Sequence, residues 1–153
     1  SFEIAFDIKS EVELVIVGDG NYRRQILSTV NKSLLKDKIS MIGHKSSGLE
    51  SSFYDASIFV LPGLGGLAIS ESLSYGVPVI CGIGDGCEKD LINGRNGIIL
   101  NPLNLESLSN ILLKLYKNPD ILNLMKSHAL DFHNGEFTIN SYIQTIESAI
   151  KNV

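Results

Sequence analysis

The sequence of 153 residues has no tryptophan, only two cysteines and four prolines, and a net charge of −4. Its two thiols, Cys81 and Cys87, do not make a disulfide framework, and their five-residue gap without a nearby histidine pair argues against a zinc site. The acidic balance argues against general nucleic-acid binding, which needs a basic stripe. Because no apolar run reaches about 18 residues, the length needed to span a membrane, we expect a cytoplasmic protein.

The remaining composition, 44% hydrophobic and 20% charged, is typical of a globular protein. We assign residues 1–153 to a single domain, since a chain of this length buries about two-thirds of its unfolded surface. Short apolar runs alternate with segments of helical periodicity, and the predicted strands cover residues 13–17, 39–42, 57–61, 77–81 and 97–100. This order predicts an α/β fold with a doubly wound, mostly parallel, Rossmann-like sheet and helices on both faces.

The predicted helices lie between these strands and after the last one. Residues 1–11 resemble the tail of a helix, so we expect the sequence to begin inside an element. Asn21 is expected to cap a helix that runs to about Lys36, and Gly76 to end a helix over residues 67–75. Shorter or later helices are predicted at 49–56, 105–118, from Pro119, and at 139–153, whereas 128–138 shows no strong period. The inward residues predicted for the second and last helices are Ile26, Leu27, Val30 and Leu34, and Tyr142, Ile143, Ile146 and Ile150.

A glycine-rich turn joins the predicted third strand to the helix that follows it. Gly63, Gly65 and Gly66 let the backbone turn sharply and let a ligand approach closely. The free N–H groups and positive dipole of the helix start favour a phosphate ester. Glu71, about one turn into the helix, suits sugar hydroxyls, and a nucleotide offers both groups. The same pattern fits a buried loop with Glu71 solvated on a surface helix, and the residues alone leave both interpretations open.

Two further glycine turns follow predicted strands, at residues 18–20 and 43–48. The first lacks the dinucleotide fingerprint G-x-G-x-x-G, because Arg23 stands where the third glycine is needed, and this argues against hydride transfer. Parallel sheets bind ligands at the carboxyl ends of their strands, so we expect all three turns to open on the same edge.

The stretch 61–80 resembles the donor-binding core of the retaining glycosyltransferases called family 4, or group 1, of the GT-B fold. The segments VELVIVGDG and residues 82–100 also resemble that family. In the latter run, Glu88 or Asp90 takes the family's acidic position, and we interpret either as a helix cap. The family's first acidic residue, which touches the transferred sugar, is replaced by Gly63, so the resemblance does not supply that sugar contact. The matching positions in the core are Pro62, Gly66, Leu67, Glu71, Ser74, Gly76, Pro78, Val79 and Ile80.

The resemblance implies the C-terminal, nucleotide-sugar-binding half of a retaining glycosyltransferase, without the N-terminal acceptor domain and without its own first strand. It implies transfer of a hexose or N-acetylhexosamine from a UDP-sugar to a saccharide or lipid-linked saccharide, as in surface polysaccharide or lipopolysaccharide assembly. No cofactor or metal is expected. Peripheral contact with the cytoplasmic face of the membrane would come through the absent half. Because the family's Arg and Lys motif is not visible either, we expect this chain to be inactive alone.

The resemblance also assigns roles to individual residues. Glu71 is the predicted catalytic residue and holds the ribose. The turn after the first strand lines the donor cleft, the loop after the second neighbours the base, and the start of the helix before Glu71 binds the diphosphate. The predicted donor-binding residues are Gly18, Gly20, Gly43, His44, Gly65, Gly66, Leu67, Ala68 and Glu71.

Two rival functions remain at this stage. A nucleotide-sugar epimerase shares the GT-B architecture, although the glycine loop followed by Glu71 and the Gly-x-Pro-Val-Ile run fits the transferases better. Gly63 in place of the acid is also compatible with a non-catalytic nucleotide-binding or assembly module. A product assay distinguishes the transferase from the epimerase. Replacement of Glu71 in a complete protein distinguishes the transferase from the non-catalytic module.

Overall fold

A computed structural model describes residues 1–7, 9–135 and 138–151 of the chain. Helices and short strands alternate along its first hundred residues, and helices follow. The strands are β1 (Leu14–Val17), β2 (Ile39–Gly43), β3 (Phe59–Leu61), β4 (Val79–Gly82) and β5 (Gly97–Leu100). The helices are α1 (Phe2–Ala5), α2 (Arg23–Lys32), α3 (Glu50–Asp55), α4 (Gly66–Ser74), α5 (Cys87–Leu91), α6 (Leu105–Lys117), α7 (Pro119–Gly135) and α8 (Ile139–Lys151), with a short 3-10 helix at Lys36–Lys38.

The strands pair in parallel, as their order along the chain predicts. β1 pairs with β2 in a two-stranded sheet, and β3, β4 and β5 form a three-stranded sheet with β4 in the centre. The predicted single sheet is therefore divided into two. The predicted α/β class, with parallel strands flanked by helices, is confirmed.

The chain forms two compact units, and the first comprises Ser1–Ser52 and Asn104–Lys117. Here α1 packs on α6: the Ser109 hydroxyl donates a hydrogen bond to the Ser1 carbonyl at 3.1 Å. The ring of Phe6 also meets that of Tyr116 edge-on, with centroids 5.4 Å apart. The Lys38 ammonium donates to the Ser10 carbonyl. These contacts tie the first residues of the chain to the β1–β2 unit.

The second unit comprises Phe53–Leu103 and Asn118–Val153. Its central strand β4 is buried along Val79, Ile80 and Cys81, which explains its continuous apolar sequence. Helices α4 and α7 pack against each other here. Each large aliphatic side chain removed from water contributes about 1.5–3 kcal/mol. The buried core cluster consists of Ile69, Leu73, Val79, Cys81, Leu91, Ile92, Ala129 and Phe132.

Gly76 ends α4, as predicted, by adopting the left-handed conformation at φ +69°. Its N–H donates to the Leu73 carbonyl at 3.0 Å, which satisfies one of the free carbonyls of the last turn. A β-carbon at this position would also lie 2.7 Å from Cγ of Leu130 on α7. Both the backbone conformation and the packing of α4 on α7 therefore require glycine.

The start and end of α2 differ from the prediction. The residue that precedes the helix is Tyr22 and not Asn21, and it makes no side-chain cap. The helix ends at Lys32 because Ser33 is extended, with its hydroxyl accepting the N–H of Leu35 at 2.9 Å. This turn buries Leu35 and leaves Leu34, the predicted core residue, 82% exposed.

The first strand and the last helices also correct the sequence-based picture. β1 alternates between half-buried and exposed residues instead of being buried throughout. Helix α7 continues through the aperiodic region to Gly135, whereas residues 136–137 lie outside the described ranges. Tyr142, Ile143, Ile146 and Ile150 were expected to face inward, but all four are exposed on α8. The apolar stripe was predicted correctly, but the prediction that it is buried was wrong. A stripe on one helix does not show whether another element packs against it.

Candidate functional site

The N-terminus of α4 has the geometry of an anion site. Gly65 precedes the helix, and no side chain of the described residues caps it. The N–H of Ile69 is bonded to the Gly65 carbonyl at 3.2 Å. The preceding N–H groups of Gly66, Leu67 and Ala68 have no acceptor within the helix and lie at the positive end of its dipole. They can therefore donate to the oxygens of a phosphate.

The loop that leads into α4 is open to an approaching ligand. Gly63 and Leu64 are exposed, and a β-carbon on Gly63 would meet nothing within 4 Å. Leu67, in the first turn of the helix, is 90% exposed. The side chain of Leu61 lies beneath the loop, 3.3 Å from the β-carbon position of Gly65. The loop thus has packing on its inner side and free space above Gly63.

Glu71 is exposed and belongs to the same helix as these amides. It is the sixth residue of α4, about 7.5 Å along the axis from Gly66 at 1.5 Å per residue. Side chains on a helix lean toward its N-terminus, which brings the carboxylate closer to the first turn. One rigid element therefore carries both hydrogen-bond donors for an anion and an acceptor for hydroxyl groups.

A second loop, between β4 and α5, is held by the carboxylate of Glu88. Its two oxygens accept hydrogen bonds from the N–H groups of Gly84 at 3.1 Å and Gly86 at 3.0 Å. The N–H of Glu88 itself, together with those of Gly84 and Gly86, holds the pKa of Glu88 below its ordinary value. Glu88 thus bonds the N–H of Gly86, the residue before α5, whereas no side-chain cap hydrogen bond forms at the start of that helix, so the predicted role as its cap stays a prediction. The other candidate for that role, Asp90, is exposed.

Cys87 connects this loop to the start of α4. Its thiol donates a hydrogen bond to the Asp85 carboxylate at 2.8 Å, which raises the pKa of Cys87 and lowers that of Asp85. The Sγ atom also lies against Gly66, where a β-carbon would approach it to 2.7 Å. The Cys87 side chain is thus bonded to Asp85 and in van der Waals contact with the first residue of α4.

Asp85, Cys87 and Glu88 place one potential metal-ligand atom each within 4.8 Å of one another. Their hydrogen bonds oppose metal binding, however. Both Glu88 oxygens already accept backbone N–H groups, and the Cys87 thiol is hydrogen-bonded to Asp85. A metal ion would need a thiolate in place of the thiol and would compete with these hydrogen bonds for the carboxylate oxygens. We therefore interpret this cluster as a brace for the loop.

The predicted residues in the first unit form a separate group. The N–H of Gly18, after β1, donates to the carbonyl of Gly43, at the end of β2, at 2.8 Å. The structure thus brings these two glycine turns together. Gly20 and His44 are exposed, and β-carbons on Gly18, Gly20 and Gly43 would meet nothing within 4 Å. These residues remain predictions for the donor cleft and the base.

The remaining predicted donor-binding residues lie together on α4 and its preceding loop, in the second unit. Their roles also stay predictions. Sequence reasoning did not identify Leu64 or Cys87 as neighbours of this site, and it treated Glu88 only as a cap. The sequence signal for the contacts of Glu88 was the pair of glycines just before it, Gly84 and Gly86. Closely spaced glycines expose N–H groups, and a nearby carboxylate can accept hydrogen bonds from them.

The protein family described as "Glycosyl transferases group 1" matches residues 3–131 of the chain. This chain belongs to that family. The resemblance read from the sequence is thereby confirmed at the level of group 1, and the assignment to family 4 stays a prediction. A comparison with curated proteins finds no significant match.

Solved structures share the fold of this group 1 chain. TarM of S. aureus has a TM-score of 0.78 at 16% identity, covering 95% of this chain and 30% of that one. HepE of Anabaena in complex with UDP has a TM-score of 0.76 at 18% identity, covering 93% and 41%. Sucrose-phosphate synthase from Thermosynechococcus elongatus has a TM-score of 0.72 at 19% identity, covering 92% and 38%. These likenesses confirm the predicted GT-B type of α/β fold.

The chain thus spans well under half the length of these solved chains, from 30% to 41%. Within the parts of the group 1 chain that the structure describes, no helix combines the length and apolar character required to cross a membrane.

Proposed function

We propose that this chain is the nucleotide-sugar-binding part of a retaining glycosyltransferase that transfers a hexose or N-acetylhexosamine from a UDP-sugar to a saccharide acceptor. The observation that carries the proposal is the uncapped start of α4 with Glu71 exposed on the same helix. Membership of the group 1 family supports it, and so do solved relatives of the same fold in complex with UDP and with UDP-glucose.

The chemistry of the donor agrees with this arrangement. As the bond to the sugar breaks, the departing diphosphate gathers negative charge. The N–H groups of Gly66, Leu67 and Ala68 are fixed by the helix before the reaction begins, so they stabilise this charge without reorganisation. We propose that the reaction needs no bound metal, because the helix end supplies this positive potential.

Glu71 is proposed to accept hydrogen bonds from the ribose hydroxyls. A carboxylate so placed holds the nucleoside while the diphosphate lies on the first turn. Gly63 replaces the acidic residue that touches the transferred sugar in family 4, and it is exposed. The sugar contacts at this position must therefore come from backbone groups or from elsewhere in a longer protein.

The acceptor is proposed to be a saccharide or a lipid-linked saccharide, as in the assembly of surface polysaccharides, with transfer taking place in the cytoplasm or at the cytoplasmic face of the membrane. Acceptor binding would require chain outside these 153 residues, and the chain alone would transfer little or no sugar. WaaG, a solved chain of similar fold with a TM-score of 0.71 at 16% identity, is described as a glycosyltransferase involved in lipopolysaccharide biosynthesis. That likeness supports the proposed role in the assembly of surface polysaccharides.

Calorimetric titration of the chain with UDP, GDP and ADP, with and without added metal, tests the proposal. We expect UDP to bind best and metal to make no difference. Glu71→Ala should weaken UDP binding by about ten- to a hundredfold, the equivalent of roughly 1.5–3 kcal/mol for a charge-assisted hydrogen bond.

Glu106→Ala is the matched control, because Glu106 is an exposed acid in the first turn of α6. It should leave the affinity unchanged. Equal UDP affinity for the wild type and Glu71→Ala would exclude the proposed role of Glu71. Absence of UDP binding by the folded chain would contradict a donor site complete on this part.

The non-catalytic module remains a second candidate because Gly63 leaves the site without the family's first acid. In a complete protein, Glu71→Ala should abolish sugar transfer if the chain acts as an enzyme. Retained biological activity of that variant would favour the module. Formation of an epimerised nucleotide sugar in the same assay would instead favour an epimerase.

A further inference from the structure

We propose that Glu88 is a positioning residue for the anion site on α4. Its carboxylate fixes the turn at residues 84–86. This turn then supports the glycine loop that leads into α4. The proposal rests on the proposed function for what the loop binds, and on the contacts within the second unit for how the loop is held.

The first step is the burial of Glu88. Its side chain is 2% exposed although it carries a carboxylate. A buried charge is costly unless it is hydrogen-bonded, and here each oxygen accepts one backbone N–H, from Gly84 and from Gly86. Any movement of the turn would leave the carboxylate without these partners. Glu88 therefore restricts the turn to one arrangement.

The second step is the contact between the turn and the loop. A β-carbon on Gly84 would lie 3.1 Å from Cδ2 of Leu64, so the Leu64 side chain rests directly on the turn. At the other end, Sγ of Cys87 lies against Gly66, the first residue of α4. The turn and the first residue of α5 thus contact the chain on both sides of Gly65, close to the N–H groups at the start of α4.

The third step is that the Cys87 contact is itself fixed from two directions. Its thiol is bonded to Asp85, and its backbone is directly joined to the buried Glu88. A preorganised anion site needs its N–H groups held in place before the ligand arrives. The residues that contact the ligand must therefore be packed against neighbouring residues that fix them. Glu88 supplies that support through the turn, without lying on α4 itself.

Glu88→Gln tests the proposal, because it keeps one acceptor oxygen and replaces the other with an N–H₂ donor that faces an N–H group. Asp90→Asn is the matched control: it makes the same acid-to-amide change two residues further along α5, at an exposed position. Amide hydrogen exchange is measured on the ligand-free chain. We expect faster exchange in Glu88→Gln both at Gly84 and Gly86 and at Ile69, whose N–H is bonded to the Gly65 carbonyl, and no change at these positions in Asp90→Asn.

The affinity for UDP is measured on the same variants. Residues that act on a site through a contact typically change binding by about 0.5–2 kcal/mol, so Glu88→Gln should weaken UDP binding by about 2- to 30-fold. Faster exchange confined to Gly84 and Gly86, together with a UDP affinity of Glu88→Gln equal to that of Asp90→Asn, would overturn the proposal. Failure of the wild type to bind UDP would count against the proposed function, while the exchange result would still decide the role of Glu88.

Leu64→Ala provides a second variant that does not depend on the folding of Glu88→Gln. Leu64 is 70% exposed, so its truncation costs little stability, but it removes the contact with Gly84. We expect faster exchange at Ile69, whose N–H is bonded to the Gly65 carbonyl, while Gly84 and Gly86 stay protected. Unchanged exchange at Ile69 would show that the turn does not support the loop and would overturn the proposal.

Discussion

The Sγ atom of Cys87 lies against Gly66 so closely that a β-carbon on Gly66 would approach it to 2.7 Å. The thiol cannot turn away without cost, because it donates a hydrogen bond to Asp85. Glycine at the first position of α4 is therefore required by packing, independently of any ligand.

Gly66→Ala should destabilise the chain by about 1–3 kcal/mol, the usual cost of an overpacked contact. Denaturant unfolding measures this difference. Cys87→Ala in the Gly66→Ala background should recover part of the loss, because it removes the sulfur from the contact. Gly63→Ala is the control, since its β-carbon would meet no neighbour within 4 Å. Equal destabilisation by Gly66→Ala and Gly63→Ala would show that the contact is not restrictive.

Asn96 joins the end of α5 to the turn before β5. Its side chain is fully buried; Oδ1 accepts the N–H of Asn93 at 3.0 Å, and Nδ2 donates to the Leu91 carbonyl at 2.9 Å. Asn96→Ala leaves these two backbone groups without their partner. We expect the free energy of unfolding to fall by about 1–3 kcal/mol.

Urea unfolding of Asn96→Ala beside Asn123→Ala tests this expectation. Asn123 is exposed on α7, so its replacement should change stability by less than about 0.5 kcal/mol. Similar stability for the two variants would mean that water replaces the buried amide and that the two Asn96 hydrogen bonds add no stability.

The parts of the fold that sequence reasoning predicted well depend on local chemistry. Gly76 ends α4 because only glycine readily adopts its backbone conformation, and Pro119 begins α7 because a helix start needs no N–H from its first residue. The apolar run of β4 likewise indicates a strand buried on both faces. The same locality explains why Gly65, Gly66 and Glu71 could be placed on one loop and helix.

The errors arise where a distant surface decides the outcome. The period of α2 continues to Leu34, but the Ser33 turn buries Leu35 instead. The apolar stripe of α8 is real, and its exposure cannot be inferred from the stripe itself. The same limit applies at the candidate site: the contacts of Gly84 with Leu64 and of Cys87 with Gly66 join segments that sequence spacing does not relate.

Glu88 should make the stability of the chain depend on pH. Hydrogen bonds from its own N–H and from those of Gly84 and Gly86 lower its pKa in the folded chain from an ordinary value of 4.5. A lowered folded-state pKa stabilises the protein above that ordinary value, and the contribution is lost as the pH falls through the folded-state pKa. Glu88→Gln should thus be less stable than the wild type at neutral pH, and the difference should shrink in acid.

Denaturant unfolding across the acid range measures this difference. Asp85 and the Cys87 thiol face the same loop and remain in both proteins, so the comparison isolates Glu88. Asp90→Asn, the exposed control on α5, should not show the same closing gap. A stability difference for Glu88→Gln that stays constant below pH 4.5 would contradict the assignment of the lowered pKa to this carboxylate.

Two isoleucines with the same sequence pattern differ in burial in the structure. Ile69 on α4 is 1% exposed within the core cluster, whereas Ile146 on α8 is 41% exposed, although both lie on the apolar side of an amphipathic pattern. Ile69→Ala removes buried methyl groups and leaves a cavity, so it should cost about 2–5 kcal/mol. Ile146→Ala should cost less than about 1 kcal/mol, because little buried area is lost and alanine is the better helix former.

Urea unfolding of the two variants, followed by circular dichroism, gives the comparison directly. Ile143→Ala, three residues before Ile146 on the same exposed stripe, serves as a repeat of the α8 measurement. A loss of more than about 2 kcal/mol at either α8 position would be a core-like value. It would mean that the stripe is covered in solution, that the inward-facing interpretation of Ile143 and Ile146 was right, and that α8 packs differently from its arrangement in the structure.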